Sequence, residues 1–506
     1  MIEAPVTYTR AQVGITAPQV TVETHLTGGI PRFTIVGLPE VAVKESKERV
    51  RSALMNSQFE FPRKRITTNL APADIPKMGG RYDLAIAMGI LAASRQVPSQ
   101  QLHDYEFAAE LGLSGELRPV TGILSAAIAA GQKGRKLVVA PENAAEAVLP
   151  GDNVVYPCES LLALCHHLQG KQLLSLQVPQ KEEVGSTSFA PDLADVCGHL
   201  QAKRVLTISA AGAHSLLMIG PPGTGKSLLS HCLPGILPEL TQSQALEVAA
   251  IHSLANGGVD AARWRQAPFC APHHTASSAA LVGGGKIPKP GLVSQAHFGV
   301  LFLDELAEFR RDVLEALREP LETGIITVAR AAGHVSYPAR FQLIAAMNPC
   351  PCGYLGDPQH ECRCSPQSIE RYQQKISGPM LDRIDLHMMV RPVPMKELTQ
   401  RDKGALSSAE IRGQVLHARF IQEERQGCAN SALPQNTLQE HCKLTAEAQE
   451  LLVEAVEKMR LSARSYHRLL RVSRTIADLS AEELITTQSV AEALSYRNVL
   501  GSQILH

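Results

Sequence analysis

The sequence predicts an α/β protein organised on a parallel-sheet module, with a smaller α/β domain before it and a helical lid after it. Three stretches carry that prediction. Leu216-Leu217-Met218-Ile219 leads into Gly220-Pro221-Pro222-Gly223-Thr224-Gly225-Lys226-Ser227 and then Leu228-Leu229, which reads as strand, glycine loop and helix start. Val300–Leu303 ends in Asp304-Glu305, and Phe341–Met347 ends in Asn348. Both are apolar runs of strand length that stop on polar residues, the pattern of strands buried on both faces.

At 506 residues the chain exceeds the size at which one core keeps growing, so two to four domains are expected, and 44% hydrophobic residues can fill them. Lys+Arg and Asp+Glu are equal at 49 each, so any nucleic-acid surface has to be a local patch. No basic segment followed by an apolar one opens the chain, and no run approaches about eighteen apolar residues. A cytosolic protein with no membrane partner is therefore expected. Its eleven cysteines are then expected to be reduced thiols or metal ligands.

Residues 1–165 form the first expected domain. Phe33–Val36, Arg65–Leu70 and Lys136–Ala140 read as strands, with helices from near Val41 to Leu54, over Tyr82–Ala92 and over Ala126–Gly131. The phrases Pro76–Ala85, Gly112–Ile123 and Val138–Asn143 resemble the Lon-protease-like fold of the ribosomal S5 second-domain type. That fold can carry a Ser-Lys dyad, but Arg81-Tyr82 and Leu124 stand where the serine and lysine would fall, so peptide hydrolysis has no nucleophile here. Basic residues cluster at Lys44, Lys47, Arg49 and Arg51, at Arg63-Lys64-Arg65, and at Lys77 and Arg81. They suit either a phosphate backbone or, since Glu45 and Glu48 are interleaved, a solvated helix face. Residues 166–194 read as a linker.

The module at 195–392 opens with a helical pattern from Leu200 that leads into the glycine loop. The loop is the full G-x-x-x-x-G-K-[ST] pattern in strand-to-helix context, so Gly220-Pro221-Pro222-Gly223-Thr224-Gly225 would turn its backbone N–H groups, which the two prolines lack, around phosphates, Lys226 would reach the β and γ phosphates, and Ser227 would bind Mg²⁺. Asp304 would hold the same Mg²⁺ and Glu305 would polarise the attacking water; Asn348 would place that water or the γ-phosphate. Leu306, Phe309, Val313, Leu314, Leu317 and Leu321 predict one amphipathic helix ending at Gly324. Cys350, Cys352, Cys362 and Cys364 suit tetrahedral Zn²⁺ in a loop with no core of its own; His360 could replace one ligand, and unligated thiols are the alternative.

Ala271–Gly285 with His273-His274, and Gly291–Glu305, make the module resemble the magnesium-chelatase-type AAA+ branch, closest to the ComM/YifB-type proteins. The resemblance implies a helix-2 insert projecting to a central pore, with Lys286 at a glycine tip. It also implies a pore hairpin over Ile325–Pro338, in which Arg330 and His334 are the candidates for touching a polymer, although an ordinary exposed hairpin fits the same residues. His273-His274 are expected to serve the insert loop rather than a metal. Gly378–Leu386 resembles the segment with the arginine finger, Arg383, which acts on a neighbouring subunit's nucleotide.

Residues 393–506 form the lid, a helical bundle. Ser407-x-x-Glu410 and Ser480-x-x-Glu483 read as capping boxes that open helices, an apolar stripe runs from Leu444 to Met459, and another helix follows from about Ser462. By resemblance Arg464 is the sensor 2 arginine, with Arg468 as alternate. Taken together, the family implies a ring-forming, hexameric ATP hydrolase using Mg²⁺ and coupled to DNA translocation, helicase or branch-migration work in recombination and transformation. The rival is a chelatase-like or chaperone-like ATPase that remodels a protein partner.

Overall fold

The computed structural model of the chain describes residues 4–179, 190–260, 263–285, 288–330, 333–394, 406–459 and 461–497. They form two compact units: Met1–Ser186 with Thr241–Trp264 and Ala329–Val335, and Thr187–Leu240 with Arg265–Val328 and Ser336–His506. No helix among the described residues is long and apolar enough to cross a membrane.

The first unit holds a seven-stranded mixed sheet. Its strands are β1 (Val6–Arg10), β2 (Gln19–Thr27), β3 (Arg32–Val36), β4 (Arg65–Ala71), β5 (Tyr105–Ala108), β8 (Lys136–Val139) and β9 (Val155–Pro157), with β6 (Glu110–Leu111) and β7 (Leu117–Arg118) as a separate small ribbon. The order is β3-β4-β2-β1-β5-β8-β9. The helix Asp83–Ala93 is apolar all round because every position from Asp83 to Ala92 is buried; it packs on β1 and β2 and against the helix Val41–Asn56. The expected strands and helices of this domain are all present, displaced at most a few residues at their ends.

The basic cluster is thinner than its sequence. Arg49 pairs with the buried carboxylate of Asp83 at 2.7 Å, while Lys77 and Arg81 are buried and donate to the carbonyls of Pro72 and Thr121. Lys44, Arg51, Arg63, Lys64 and Arg65 stay exposed. Arg81 and Leu124, at the two dyad positions, are both buried, and Leu124 packs against Ala249 and Ala250. Those alanines lie on the helix Gln242–Asn256, which a Thr241–Gln244 capping box opens and left-handed Gly257 closes. This segment lies within the stretch assigned to the second module by sequence, yet it folds with the first unit.

The second unit is built on β10 (Leu216–Ile219), β11 (Phe269–Cys270), β14 (Val300–Leu303), β17 (Gln342–Met347) and β18 (Leu386–Met389), in the order β11-β14-β17-β10-β18. All pairings are parallel. Every residue of β10, β14 and β17 is buried, which is why these strands read as continuous apolar runs. Two ribbons stand apart from this sheet: β12 (Gly283–Gly284) with β13 (Lys289–Pro290), and β15 (Ile325–Arg330) with β16 (Gly333–Pro338), whose stretch Ala329–Val335 is counted with the first unit. One core runs from this sheet through the helix Leu200–Gly212 into the C-terminal helices Ser408–Gln426, Ala446–Lys458, Ala463–Leu479 and Thr487–Ser495.

Two helix expectations are corrected. The stretch after Glu305 is a 3₁₀ turn, Leu306–Glu308, then two short helices, Arg311–Ala316 and Arg318–Thr323. Pro320 has no N–H to give to the carbonyl of Ala316, so the ladder breaks between them. Ser480 closes the helix Ala463–Leu479 instead of opening one, and Ala481 follows in the left-handed region at φ 54°. The Ser407–Glu410 capping box forms as expected.

Candidate nucleotide site

The site grows from the C-terminal ends of adjacent parallel strands, where open α/β sheets collect ligands. Beyond β10 the chain turns through Gly220–Gly225 into the helix Lys226–Ile236. Gly220 has no room for a side chain, since a Cβ there would lie 2.2 Å from the carbonyl oxygen of Val390, and Gly225 sits at φ 80°. The loop therefore tightens enough to direct its N–H groups inward. Lys226 is folded back into it: Nζ donates to the carbonyls of Gly220 at 2.7 Å and Pro221 at 2.8 Å, and to Oδ1 of Asn348 at 3.3 Å. Burial pushes its ammonium down to about 8, against the raising influence of Asp304 and Glu305.

Ser227 Oγ donates to Oδ2 of Asp304 at 2.7 Å, bringing two hard oxygen donors together beside the loop. That pair fits Mg²⁺, which takes one or two protein oxygens and fills its remaining positions with phosphate and water. Asn348 follows β17, the strand between β10 and β14, so its amide reaches Lys226 from the side. The structure thus brings Lys226, Ser227, Asp304, Glu305 and Asn348 to one sheet edge.

Glu305 is left-handed at φ 53°, and its carboxylate meets Nδ1 of His274 at 3.1 Å. The sequence assigned His274 only to the insert loop, and its contact with Glu305 is a placement that sequence reasoning missed. Its signal is the sheet register, which pairs Cys270 with Leu301 across β11 and β14. Four residues beyond each lie His274 and Glu305. No local motif could reveal this, because it depends on which strands are neighbours.

The two arginines lie elsewhere. Arg383 Nη2 meets Glu322 Oε2 at 2.7 Å and its Nη1 donates to the carbonyl of Pro379 at 2.6 Å; Arg464 Nη2 meets Glu322 Oε1 at 2.8 Å. Burial raises the Glu322 carboxyl, but Arg383, followed by Arg464 and Arg468, holds it below its ordinary value. Arg468, the alternate, is committed to Asp385 at 2.5 Å and to the carbonyl of Arg383 at 2.9 Å. Lys286 lies outside the described residues, as do the side chains of Arg330 and His334, whose backbones belong to β15 and β16.

Cys350, Cys352, Cys362 and Cys364 converge, with their sulfurs all within 4.8 Å of one another. The separations of 3.4, 3.7 and 3.6 Å among the first three approach the roughly 3.8 Å edge of a tetrahedron with Zn–S bonds of about 2.3 Å. His360 turns instead to Asp357 at 3.4 Å. The same loop packs on the nucleotide site: a Cβ on Gly353 would lie 2.8 Å from Pro222 and 3.8 Å from Asn348.

Residues 192–398 match the family described as magnesium chelatase, subunit ChlI; residues 22–143 match subunit ChlI of Mg-chelatase, and residues 405–497 match the ChlI C-terminal family. The chain is 50% identical over 496 residues to the competence protein ComM of Haemophilus influenzae, covering 97% of each chain. It is 47% identical over 495 residues to the protein YifB of Escherichia coli, covering 98% of this chain and 97% of that one. To the magnesium-chelatase 38 kDa subunit of Cereibacter sphaeroides it is 24% identical over 252 residues, 44% of this chain and 70% of that one.

Proposed function

The chain belongs to the ComM/YifB-type family of magnesium-chelatase-like AAA+ proteins, and from that premise we propose that it is an ATP hydrolase, assembled as a hexameric ring, that drives movement along single-stranded or branched DNA. The observation that carries the ATPase reading is the 2.7 Å contact of Ser227 with Asp304, with Lys226 and Asn348 beside it. The loop N–H groups and Lys226 bind the phosphates, Glu305 orients water, and Asn348 fixes the angle of approach. Ser227 and Asp304 are the residues that would hold Mg²⁺, which would supply positive charge against the phosphates. Arg383 of a neighbouring copy completes the site.

The DNA substrate is supported by the name of the relative ComM, a competence protein, and by the exposed Lys44, Arg51, Arg63, Lys64 and Arg65. The hairpin β15–β16 and the tip at Lys286 are the proposed polymer contacts. The four cysteines are proposed to hold one structural Zn²⁺, which elemental analysis should find at about one per chain and Cys362→Ser should remove. None of the eleven cysteines is in a disulfide, which supports a reducing, cytosolic setting.

The decisive assay measures ATP turnover with single-stranded, forked and four-way DNA over a salt series, with a protein-only control. Turnover should rise with DNA, and the rise should fade with salt as counterions compete for the basic residues. Stimulation by no DNA form would favour the protein-remodelling ATPase, the reading that the similarity to a magnesium-chelatase subunit supports.

A further inference from the structure

The two arginines with proposed catalytic roles stand 81 residues apart in sequence (464 − 383) yet occupy the two oxygens of one carboxylate. That carboxylate, Glu322, belongs to neither the nucleotide motifs nor the arginine segments. It lies in the last turn of the helix Arg318–Thr323, which left-handed Gly324 ends and buried Pro320 and Leu317 anchor. Arg383 is almost wholly buried: Nη1 is held by Pro379, Nη2 by Glu322, and Nε has no hydrogen-bond partner. Arg464 is the exposed member, with about half of its side chain open to solvent (52%).

The backbones beneath them are joined as well. Arg468 donates to the carbonyl of Arg383 at 2.9 Å, and Arg497 donates to the carbonyl of Ile384 at 2.7 Å and to the hydroxyl of Ser465 at 3.0 Å. Ser465 adjoins Arg464, so the segment bearing Arg383 and the helix bearing Arg464 are tied on both sides of the pair. Two like-charged guanidinium groups held this close would repel each other without a shared anion, and Glu322 supplies it. Lys226, by contrast, contacts the loop carbonyls and Asn348.

We propose that Glu322 is a positioning residue for ATP hydrolysis, holding Arg383 and Arg464 as one two-guanidinium unit that is presented together to a single nucleotide of a neighbouring copy. The proposal rests on the ring-ATPase reading above. Glu322 does not touch the nucleotide; it sets the spacing and direction of the groups that do. The same carboxylate neutralises part of their charge until the phosphates of the neighbour arrive.

The test uses the full chain assembled with Mg²⁺ and ATP, and compares Glu322→Gln, Glu322→Asp, Arg383→Ala, Arg464→Ala and the double change Glu322→Gln with Arg464→Ala. Glu322→Gln should lower kcat about tenfold or more while leaving the KM for ATP within about twofold, because binding is done by the Lys226 loop of the other subunit. Glu322→Asp should recover part of kcat, and in the Arg464→Ala background Glu322→Gln should cost no more than about twofold further, the non-additivity expected of groups that act as a unit. A Glu322→Gln protein that turns over at the normal rate or faster overturns the proposal, as does full multiplication of the two single effects. If Glu322→Gln does not fold, the Glu322→Asp rate and its coupling to Arg464→Ala decide in the same way. Unchanged turnover in Arg383→Ala would instead remove the ring-ATPase reading itself.

Discussion

Two polar clusters of the second unit are built on opposite plans. Around Lys226 a buried ammonium is met only by neutral oxygens, those of Gly220, Pro221 and Asn348, while the nearby carboxylates are turned to Ser227 and His274. Around Asp385 a buried carboxylate is fully matched: Arg468 at 2.5 Å, His214 at 3.2 Å and the N–H of Ser215 at 3.3 Å. Burial opposes the Asp385 charge, yet Arg468 and then His214 hold its carboxyl well below the usual carboxylate range. At Lys226 burial acts in the same sense and prevails, moving the ammonium toward its neutral form. The first cluster lacks an anion, which a phosphate of the proposed nucleotide would supply; in the second both oxygens of the Asp385 carboxylate are matched, and it joins the sheet to the C-terminal helices. Charge imbalance marks the site of chemistry, and charge balance marks the scaffold.

If that contrast holds, changes at the unfinished cluster remove function and changes at the finished one remove folding. Glu305→Gln should keep ATP binding and lower turnover by about 10² to 10⁴, the range for removing a group that handles water or protons in the transition state. Steady-state turnover beside an equilibrium binding titration checks it, and normal turnover would take the role from Glu305. Asp385→Asn should cost about 3–5 kcal/mol of stability, the penalty for taking one partner from a buried ion cluster, read from the unfolding midpoint of the second unit. A wild-type midpoint would show that the seam around Asp385 is not structural. Lys226→Met is expected to act with the opposite sign, leaving the nucleotide-free protein as stable or more stable by on the order of 1 kcal/mol while ATP binding is lost. A strongly destabilised Lys226→Met protein would break the comparison.

The same contrast explains what the sequence could reveal. Asp304 and Asn348 were legible because each directly follows a strand whose apolar run announces it, and Lys226 and Ser227 because the glycine loop after β10 leads straight into the helix they open. Asp385 and Glu322 were not, because their partners come from residues about 60 to 170 positions away in sequence, and no periodicity encodes such distances. His274 shows the limit sharply: its type and neighbours suggested an insert loop, and only the pairing of β11 with β14 carries it to Glu305. Local rules also misled where backbone chemistry overrode pattern. Pro320 cut a stripe that was apolar at helical spacing throughout, and Ser480, in a sequence that spells a capping box, ends a helix whose core packing had already fixed its length.

The smallest expected effect is also the most direct measure of the imbalance at Lys226. Burial brings its ammonium from an ordinary 10.5 to about 8 in the empty site. Between about pH 8 and 10.5 the unfolded chain therefore binds the proton that the folded empty site has released, so stability contributed at this position rises with pH across that window and is at its lowest, constant value below it. Phosphate oxygens reverse the balance by favouring the charged amine. Binding of MgATP near pH 8 should then draw up to about half a proton per site from solution, falling to about a tenth at pH 7, where Lys226 is already charged. Calorimetric titration of a hydrolysis-deficient Glu305→Gln protein, repeated in buffers of different ionisation enthalpy, counts those protons. An uptake equal at both pH values would mean that the empty site does not hold Lys226 short of charge, and the distinction between an unfinished and a finished cluster would lose its basis.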